Sequence, residues 1–389
     1  MKNKVLFIMH MPPPVHGASM VGKYIHDSEL INSEFDCYFL NPTTAKNLED
    51  VSKFRIGKVF DVFGLIKRIK EKVREVQPDL VYFTANATGM PFYKDFLIVS
   101  ALKNTLKEVA SRRSDSKEGQ IVVHYHNKGV ATRQDHILDN MLYKRFFKGL
   151  KIILLTDNLY SDIKKYVKRT DVQICENGIP DLNPTITFSK SSTINLFYLG
   201  NMMAEKGVWT LLYACKELMK RGVDFHCDFV GGWKDVSEKS FNDVVADLGI
   251  GEYVSAHGAK YGDEKEPFFE KADVMVFPTY YHNECFPLVL LEGMMHGLAC
   301  VSTREAGIPG IVSGFGLETK FDCNASSEKA TGFLVERKNA SQLADAIERL
   351  ANNQKLWMQM CVEGRKKYVE QFSLPVFEKR LTECIKNLL

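Results

Sequence analysis

Short apolar runs recur along the chain, many closed by proline, glycine or asparagine and alternating with stretches of helical spacing. Val5 to Met9, Cys37 to Leu40, Asp79 to Thr84, Ile121 to His126, Ile152 to Leu155 and Val172 to Cys175 read as strands in the first half. Ile194 to Leu199, Val274 to Phe277 and Leu298 to Ser302 read as strands in the second. Runs of four to six apolar residues without polar alternation are those of strands buried on both faces, as in parallel sheets. Pro91 to Ala110, residues 340 to 352 and 355 to 371, and a stretch from about Ser373 carry helical spacing. Glu176-Asn177-Gly178-Ile179-Pro180 has the chemistry of a turn, and residues 181 to 193 that of a linker. The expected fold is α/β, with two doubly wound, Rossmann-like parallel sheets facing a cleft. The expected division is 1–182, a linker at 183–193, a second domain over 194–371 and a terminal helix at 372–389.

The stretch 53 to 76 interleaves lysines and arginines with Phe54, Ile56, Phe60, Phe63, Leu65, Ile66 and Ile69. Such a segment either lies on an anionic membrane surface or is a helix whose apolar stripe packs on the sheet while its cations face water. A chain of 389 residues is long for one core, which agrees with two domains. Hydrophobic and charged fractions of 45% and 25% are those of a globular enzyme, and a net charge of +3 argues against a dedicated nucleic-acid binder. Nine cysteines stand singly with no Cys-x-x-Cys pair, which fits reduced thiols better than a disulfide or zinc framework. Val5 to Met9 is too short for a signal peptide, and no run approaches the ~20 apolar residues of a spanning helix. A cytoplasmic protein is expected, with peripheral contact at the inner membrane face left open.

The candidate chemistry sits where strands end. Tyr280 to Gly297 follows one strand and leads into another, so a loop and a helix fall between. Pro287 suits the first helical position, which would leave the amides of Leu288 and Val289 pointing towards Glu284 and favouring an anion. Glu284 and Glu292 would repel a diphosphate, so their use is to accept hydrogen bonds from hydroxyls. Together these features point to a sugar-nucleotide site. Lys206, in the Gly200 to Gly207 loop, is a point charge suited to phosphate. Val230-Gly231-Gly232-Trp233 and His257-Gly258 are further strand-end turns. In the first half, Gly17 follows three prolines in a loop before a helix expected near Ser19. His124 and His126 share a strand face, but two ligands are too few for a metal. The end of the strand is the better place for a ligand-binding residue and favours His126.

These residues resemble the retaining GT-B glycosyltransferases of family 4. The resemblance rests on Gly200 to Lys206-Gly207, Gly231-Gly232, Gly258, Glu284 and Glu292 with seven residues between, Gly293, Gly297, Gly307-Ile308-Pro309 and Gly332-Phe333-Leu334-Val335. The Gly17 loop, His126 and Asn177-Gly178 match more weakly. It implies that a nucleoside-diphosphate sugar donor is held mainly by the second domain and a glycan or lipid-linked acceptor by the first. Transfer would keep the anomeric configuration and need no metal or cofactor. Glu284, His126 and Lys206 would serve the reaction, with Lys206 on the diphosphate and Glu284 and His126 at the donor sugar. Glu292 would take the ribose hydroxyls; Gly17, Asn201, Gly231 and the backbone of Cys285, Phe286, Leu288 and Val289 would complete the donor site. The terminal helix would cross back to the first domain. Asn201 departs from the arginine usual in that place, which implies a weaker phosphate clamp or help from another cation such as Lys260. Pro12 to Gly17, Thr84 to Pro91 and His126 to Arg133 are expected to line the acceptor side. A sugar-nucleotide 2-epimerase and a non-catalytic nucleotide-sugar-binding subunit are the alternatives.

Overall fold

A computed structural model describes residues 2–13, 17–42, 57–112, 118–186, 192–315 and 329–389. Pro14 to His16, Phe54 to Ile56 and the middle of the linker, 187–191, lie outside the described residues. The chain forms two units, Met1–Ile179 with Leu374–Leu389, and Pro180–Ser373.

The first unit is built on a six-stranded parallel sheet of β1 (Lys4–Ile8), β2 (Asp36–Leu40), β3 (Leu80–Ala85), β4 (Gln120–Tyr125), β5 (Lys151–Leu154) and β6 (Val172–Ile174), in the order β2-β1-β3-β4-β5-β6. Its central strands are mostly apolar because helices cover both faces, and Val5 to Met9 and Leu80 to Phe83 are fully buried. The chain winds outward in opposite directions from β1 and β3, so the strand order reverses between them. The helix Gly57–Val76 places Leu65, Ile69, Val73 and Val76 in the core, at the spacing of one helical stripe. Most of that stripe is therefore spent on packing, and Phe63 is left exposed.

The second unit carries seven parallel strands, β7 (Ile194–Leu199), β8 (Phe225–Val230), β9 (Val254–Ala256), β10 (Val274–Phe277), β11 (Ala299–Thr303), β12 (Gly314–Phe315) and β13 (Gly332–Val335). Their order is β12-β13-β11-β10-β7-β8-β9, with the reversal between β7 and β10. Gly231 is glycine because β8 ends against the end of β7: a Cβ there would lie 1.8 Å from the Gly200 carbonyl oxygen. Gly207 is held at φ 87° under Pro278, where a Cβ would meet the Pro278 carbonyl at 2.3 Å. The entry to this unit is fixed by Arg365, whose guanidinium donates to both carboxylate oxygens of Asp181 at 3.0 and 2.8 Å and to the Met295 carbonyl at 3.0 Å.

Several expected boundaries shift. Residues 176 to 180 make no turn; they run extended because the Leu374 amide donates to the Ile179 carbonyl and Arg380 to the Glu176 carbonyl. The helix expected near Ser19 begins at Gly17, and the stretch 355 to 371 is a helix over Gln354–Lys367 followed by a π-turn over Tyr368–Phe372. The helix Leu374–Lys386 returns to the first unit and buries Phe377, Leu381 and Ile385 there. Phe377→Ala should lower stability by ~3–5 kcal/mol in urea denaturation, the cost of emptying a filled aromatic site. An unchanged midpoint would show that this helix is not part of the unit's core.

Candidate active site at a strand-order reversal

At the reversal between β7 and β10 the chain leaves the two adjacent strand ends in different directions. Ligands in open parallel sheets bind in the crevice this leaves. Residues 200 to 207 follow β7 and residues 278 to 287 follow β10, and backbone ties hold them together. The Tyr280 amide donates to the Glu205 carbonyl at 2.8 Å, and His282 Nδ1 lies 2.7 Å from Glu205 Oε2. This brings the Lys206 ammonium onto Glu284 Oε2 as an ion pair, both side chains largely buried. The same ammonium lies 4.8 Å from the centre of the Tyr281 ring and 5.3 Å from that of Phe277, two aromatic faces that stabilise a cation. Lys206 is therefore not a free positive charge: one of the two carboxylates assigned to hydroxyls compensates it.

Beyond Glu284 lies the helix Leu288–Met295, and here the local expectation is corrected by one residue. Pro287 is the N-cap and not the first helical residue, with φ −70° and ψ 113°. The cap offers no side-chain acceptor, so the amides of Leu288 and Val289 keep the free donor character of a helix start. They add the positive end of the helix dipole to a site that already holds one cation. Cys285 and Phe286 are buried, and the Cys285 carbonyl accepts from the Gly307 amide at 2.9 Å.

Glu292, in the second turn of that helix, meets Lys265 Nζ at 2.8 Å through Oε1, while its Oε2 is buried and makes no hydrogen bond among the described residues. Lys265 was not singled out by the sequence, since nothing in Gly262 to Lys265 distinguishes it from any exposed lysine. His296 stacks on Phe269 with ring centres 4.1 Å apart and lies 2.9 Å from Glu266 Oε2. Asn201 is exposed just beyond β7, and its carbonyl accepts from the Tyr198 hydroxyl at 3.1 Å. Lys260 makes no ion pair among the described residues and is half-buried, some way along the chain from β9. His257 is committed to Asp228, 2.7 Å away, and Lys271 lies 3.0 Å from the other Asp228 oxygen. Burial works to raise the Asp228 pKa, but those two hydrogen bonds, together with the nearby Lys271 and His226 charges, outweigh it and hold it below the usual carboxylate value.

In the first unit the reversal lies between β1 and β3, and the segments after them include two of the stretches expected to line the acceptor side, Pro12 to Gly17 and Thr84 to Pro91. Gly17 is the exposed first residue of its helix. The Ala87 amide donates to Asn127 Oδ1 at 2.8 Å, which joins the segment after β3 to that after β4. His126 stands just past the end of β4 with its ring centre 4.2 Å from that of His124. His124 is fully buried, its Nδ1 2.6 Å from the Tyr82 hydroxyl. Among the described residues no group of three or more His, Cys, Asp or Glu side chains is placed to hold a metal ion.

The two units together are the GT-B fold. Over the whole chain the structure superposes on sucrose-phosphate synthase from Thermosynechococcus elongatus with a TM-score of 0.72 at 15% identity, covering 100% of this chain and 99% of that one. Anabaena HepE, solved in complex with UDP and glucose, gives 0.69 at 14% identity, with 99% and 100% covered. Residues 193–353, which hold the β7–β10 site, match the family model described as Glycosyl transferases group 1. Among sequence relatives, the amylovoran biosynthesis glycosyltransferase AmsK of Erwinia amylovora is 22% identical over 317 residues, 78% of this chain and 72% of AmsK. An uncharacterized glycosyltransferase of Haemophilus influenzae is 22% identical over 352 residues, covering 90% and 89%. The fold is thus GT-B, and residues 193–353 are similar to the group 1 glycosyltransferases.

Burial, reinforced by the neighbouring His126, holds the His124 pKa well below the ordinary histidine value. The folded protein keeps this imidazole neutral while the unfolded chain takes up a proton below about pH 6.5, so the stability it contributes is full above that pH and falls as pH drops. The wild type should lose ~1.4 kcal/mol per pH unit more than His124→Asn below pH 6, measured by urea denaturation at stepped pH. Parallel pH profiles would contradict it.

Proposed function

We propose that this glycosyltransferase moves a hexose from a nucleoside-diphosphate sugar to a saccharide or lipid-linked saccharide in cell-surface glycan synthesis. In this reading it belongs to family 4, retains the anomeric configuration and works without a metal. The observation that carries the proposal is the pairing of Lys206 with Glu284 at the strand-order reversal, shortly before, in the chain, a helix start whose cap makes no side-chain hydrogen bond. A nucleoside diphosphate acquires negative charge as it leaves the sugar, and a buried ammonium with preorganised amide donors lowers the energy of that charge. On donor binding the diphosphate takes over Lys206 and the Leu288 and Val289 amides, and Glu284 exchanges the ammonium for a sugar hydroxyl. Glu292 accepts from the ribose. HepE, solved with UDP and glucose, supports the donor class, and AmsK, named for amylovoran biosynthesis, supports the polysaccharide setting.

The donor is identified by thermal shift with UDP-, GDP- and ADP-sugars, and transfer is then measured with glycan acceptors in the presence of EDTA. Lys206→Ala and Glu292→Ala should each lower kcat/KM by roughly 10²- to 10³-fold, the usual effect of losing one preorganised electrostatic contact. Asn201, exposed where a second cation is expected, is the observation that favours a binding-only subunit. Tight donor binding with no turnover in any acceptor mixture would establish that reading instead, and isomerised donor alone would indicate a 2-epimerase.

A cytoplasmic enzyme touching the inner membrane face fits a lipid-linked acceptor. On the helix Ile137–Phe147, Ile137, Leu138 and Met141 are 89%, 56% and 50% exposed, and the exposed Lys144, Arg145 and Lys148 follow them. Apolar residues beside cations suit an anionic bilayer. Flotation with phosphatidylglycerol vesicles should fall several-fold for Ile137→Asp/Leu138→Asp; equal flotation would remove this surface from the proposal.

A further inference from the structure

We propose that Lys265 is a positioning residue that makes the donor site selective for ribonucleotides over deoxyribonucleotides, by fixing Glu292 so that one carboxylate oxygen is reserved for a ribose hydroxyl. This rests on the donor reading above and goes beyond it in assigning a residue and a discrimination.

The two oxygens of Glu292 are unequal. Oε1 accepts from Lys265 Nζ at 2.8 Å, whereas Oε2 is buried and accepts no hydrogen bond from the described residues. A buried acceptor left unsatisfied destabilises the protein, and such groups in folded chains usually await a ligand or a water. With one oxygen engaged by an ammonium, the carboxylate plane cannot turn freely, so Oε2 keeps one direction. A hydroxyl is the complement of such an oxygen; a phosphate is not, because it brings no donor.

The lysine is itself held. It closes the 3-10 turn Gly262–Lys265, in which the Tyr261 amide donates to Glu264 Oε2 at 3.1 Å. Its ammonium lies 6.0 Å from the centre of the Phe269 ring, on which His296 is stacked. The next residue, Glu266, reaches His296 Nε2 at 2.9 Å, while His296 Nδ1 lies 2.8 Å from the Glu292 carbonyl. Lys265 and Glu266 thus grip the side chain of Glu292 and the turn that follows it from one short segment. Side-chain exposures of 20% for Lys265 and 23% for Glu292 place the pair well inside the surface, where an ammonium orients a carboxylate more firmly than in open water.

The experiment compares binding of UDP, GDP and ADP with that of their 2′-deoxy and 3′-deoxy forms by titration calorimetry, on the full chain. The wild type should prefer the best ribonucleotide about 10- to 100-fold over at least one deoxy form, the value of a charge-assisted hydrogen bond. Lys265→Met should compress that ratio to about threefold or less, and Lys265→Arg should restore most of it. A Lys265→Met protein that keeps the wild-type ratio, even with a lower melting temperature, would overturn the proposal by showing a purely structural ion pair. A wild type that binds a nucleotide without discriminating the deoxy forms would also overturn it while leaving the donor reading intact. Failure of all three nucleotides to bind would overturn the donor reading itself.

Discussion

The molecule depends on a constraint of parallel sheets: strands wound outward in both directions from a central pair must leave the carboxyl ends of that pair through segments that part company. In the second unit the pair is β7 and β10, and the parting segments carry Lys206 and Glu284. The crevice between such ends is the place in the sheet where backbone amides and side chains from both directions can converge on one ligand. Gly207 and Gly231 serve this geometry before any chemistry, because larger residues would push apart the ends that have to meet.

The site manages its charges in pairs. Lys206 with Glu284 and Lys265 with Glu292 each place an ammonium against a carboxylate in a partly buried setting, where either charge alone would be costly. A ligand that brings both anionic groups and hydroxyls can replace each half of the first pair with a partner of its own, so little buried charge is left uncompensated during exchange. An anion without hydroxyls would strand Glu284. With Asn201 where a further cation is expected, the helix-start amides carry a larger share of any phosphate contact than they would beside an arginine.

The first unit is arranged by the same reversal, between β1 and β3, but its polar groups are handled differently. His124 is buried against Tyr82 and kept neutral, while His126, two residues on and past the end of β4, stands beside it. One histidine belongs to the core and the other stands just past the carboxyl end of the strand. The return of the helix Leu374–Lys386 to this unit also explains why residues 176 to 180 run straight, since Arg380 and the Leu374 amide hold them from that helix.

By itself the sequence determined the two parallel sheets, most strand positions to within a residue, and the strand-end locations of Lys206, Glu284, Glu292 and His126. Those follow from local chemistry: unbroken apolar runs, proline and glycine at exits, helical spacing between. It marked β8 and β9 only through the turns that follow them, without bounds, and did not mark the two-residue β12, which is too short to show a pattern; it also took Pro287 for the first helical residue and not the cap, because the two differ only in backbone angles. The tertiary structure alone decided which charges meet. Lys206 and Glu284 are 78 residues apart, and Lys265 and Glu292 are 27 apart. No local rule relates such positions; the order of strands in the sheet does, and that order is fixed by packing over the whole unit.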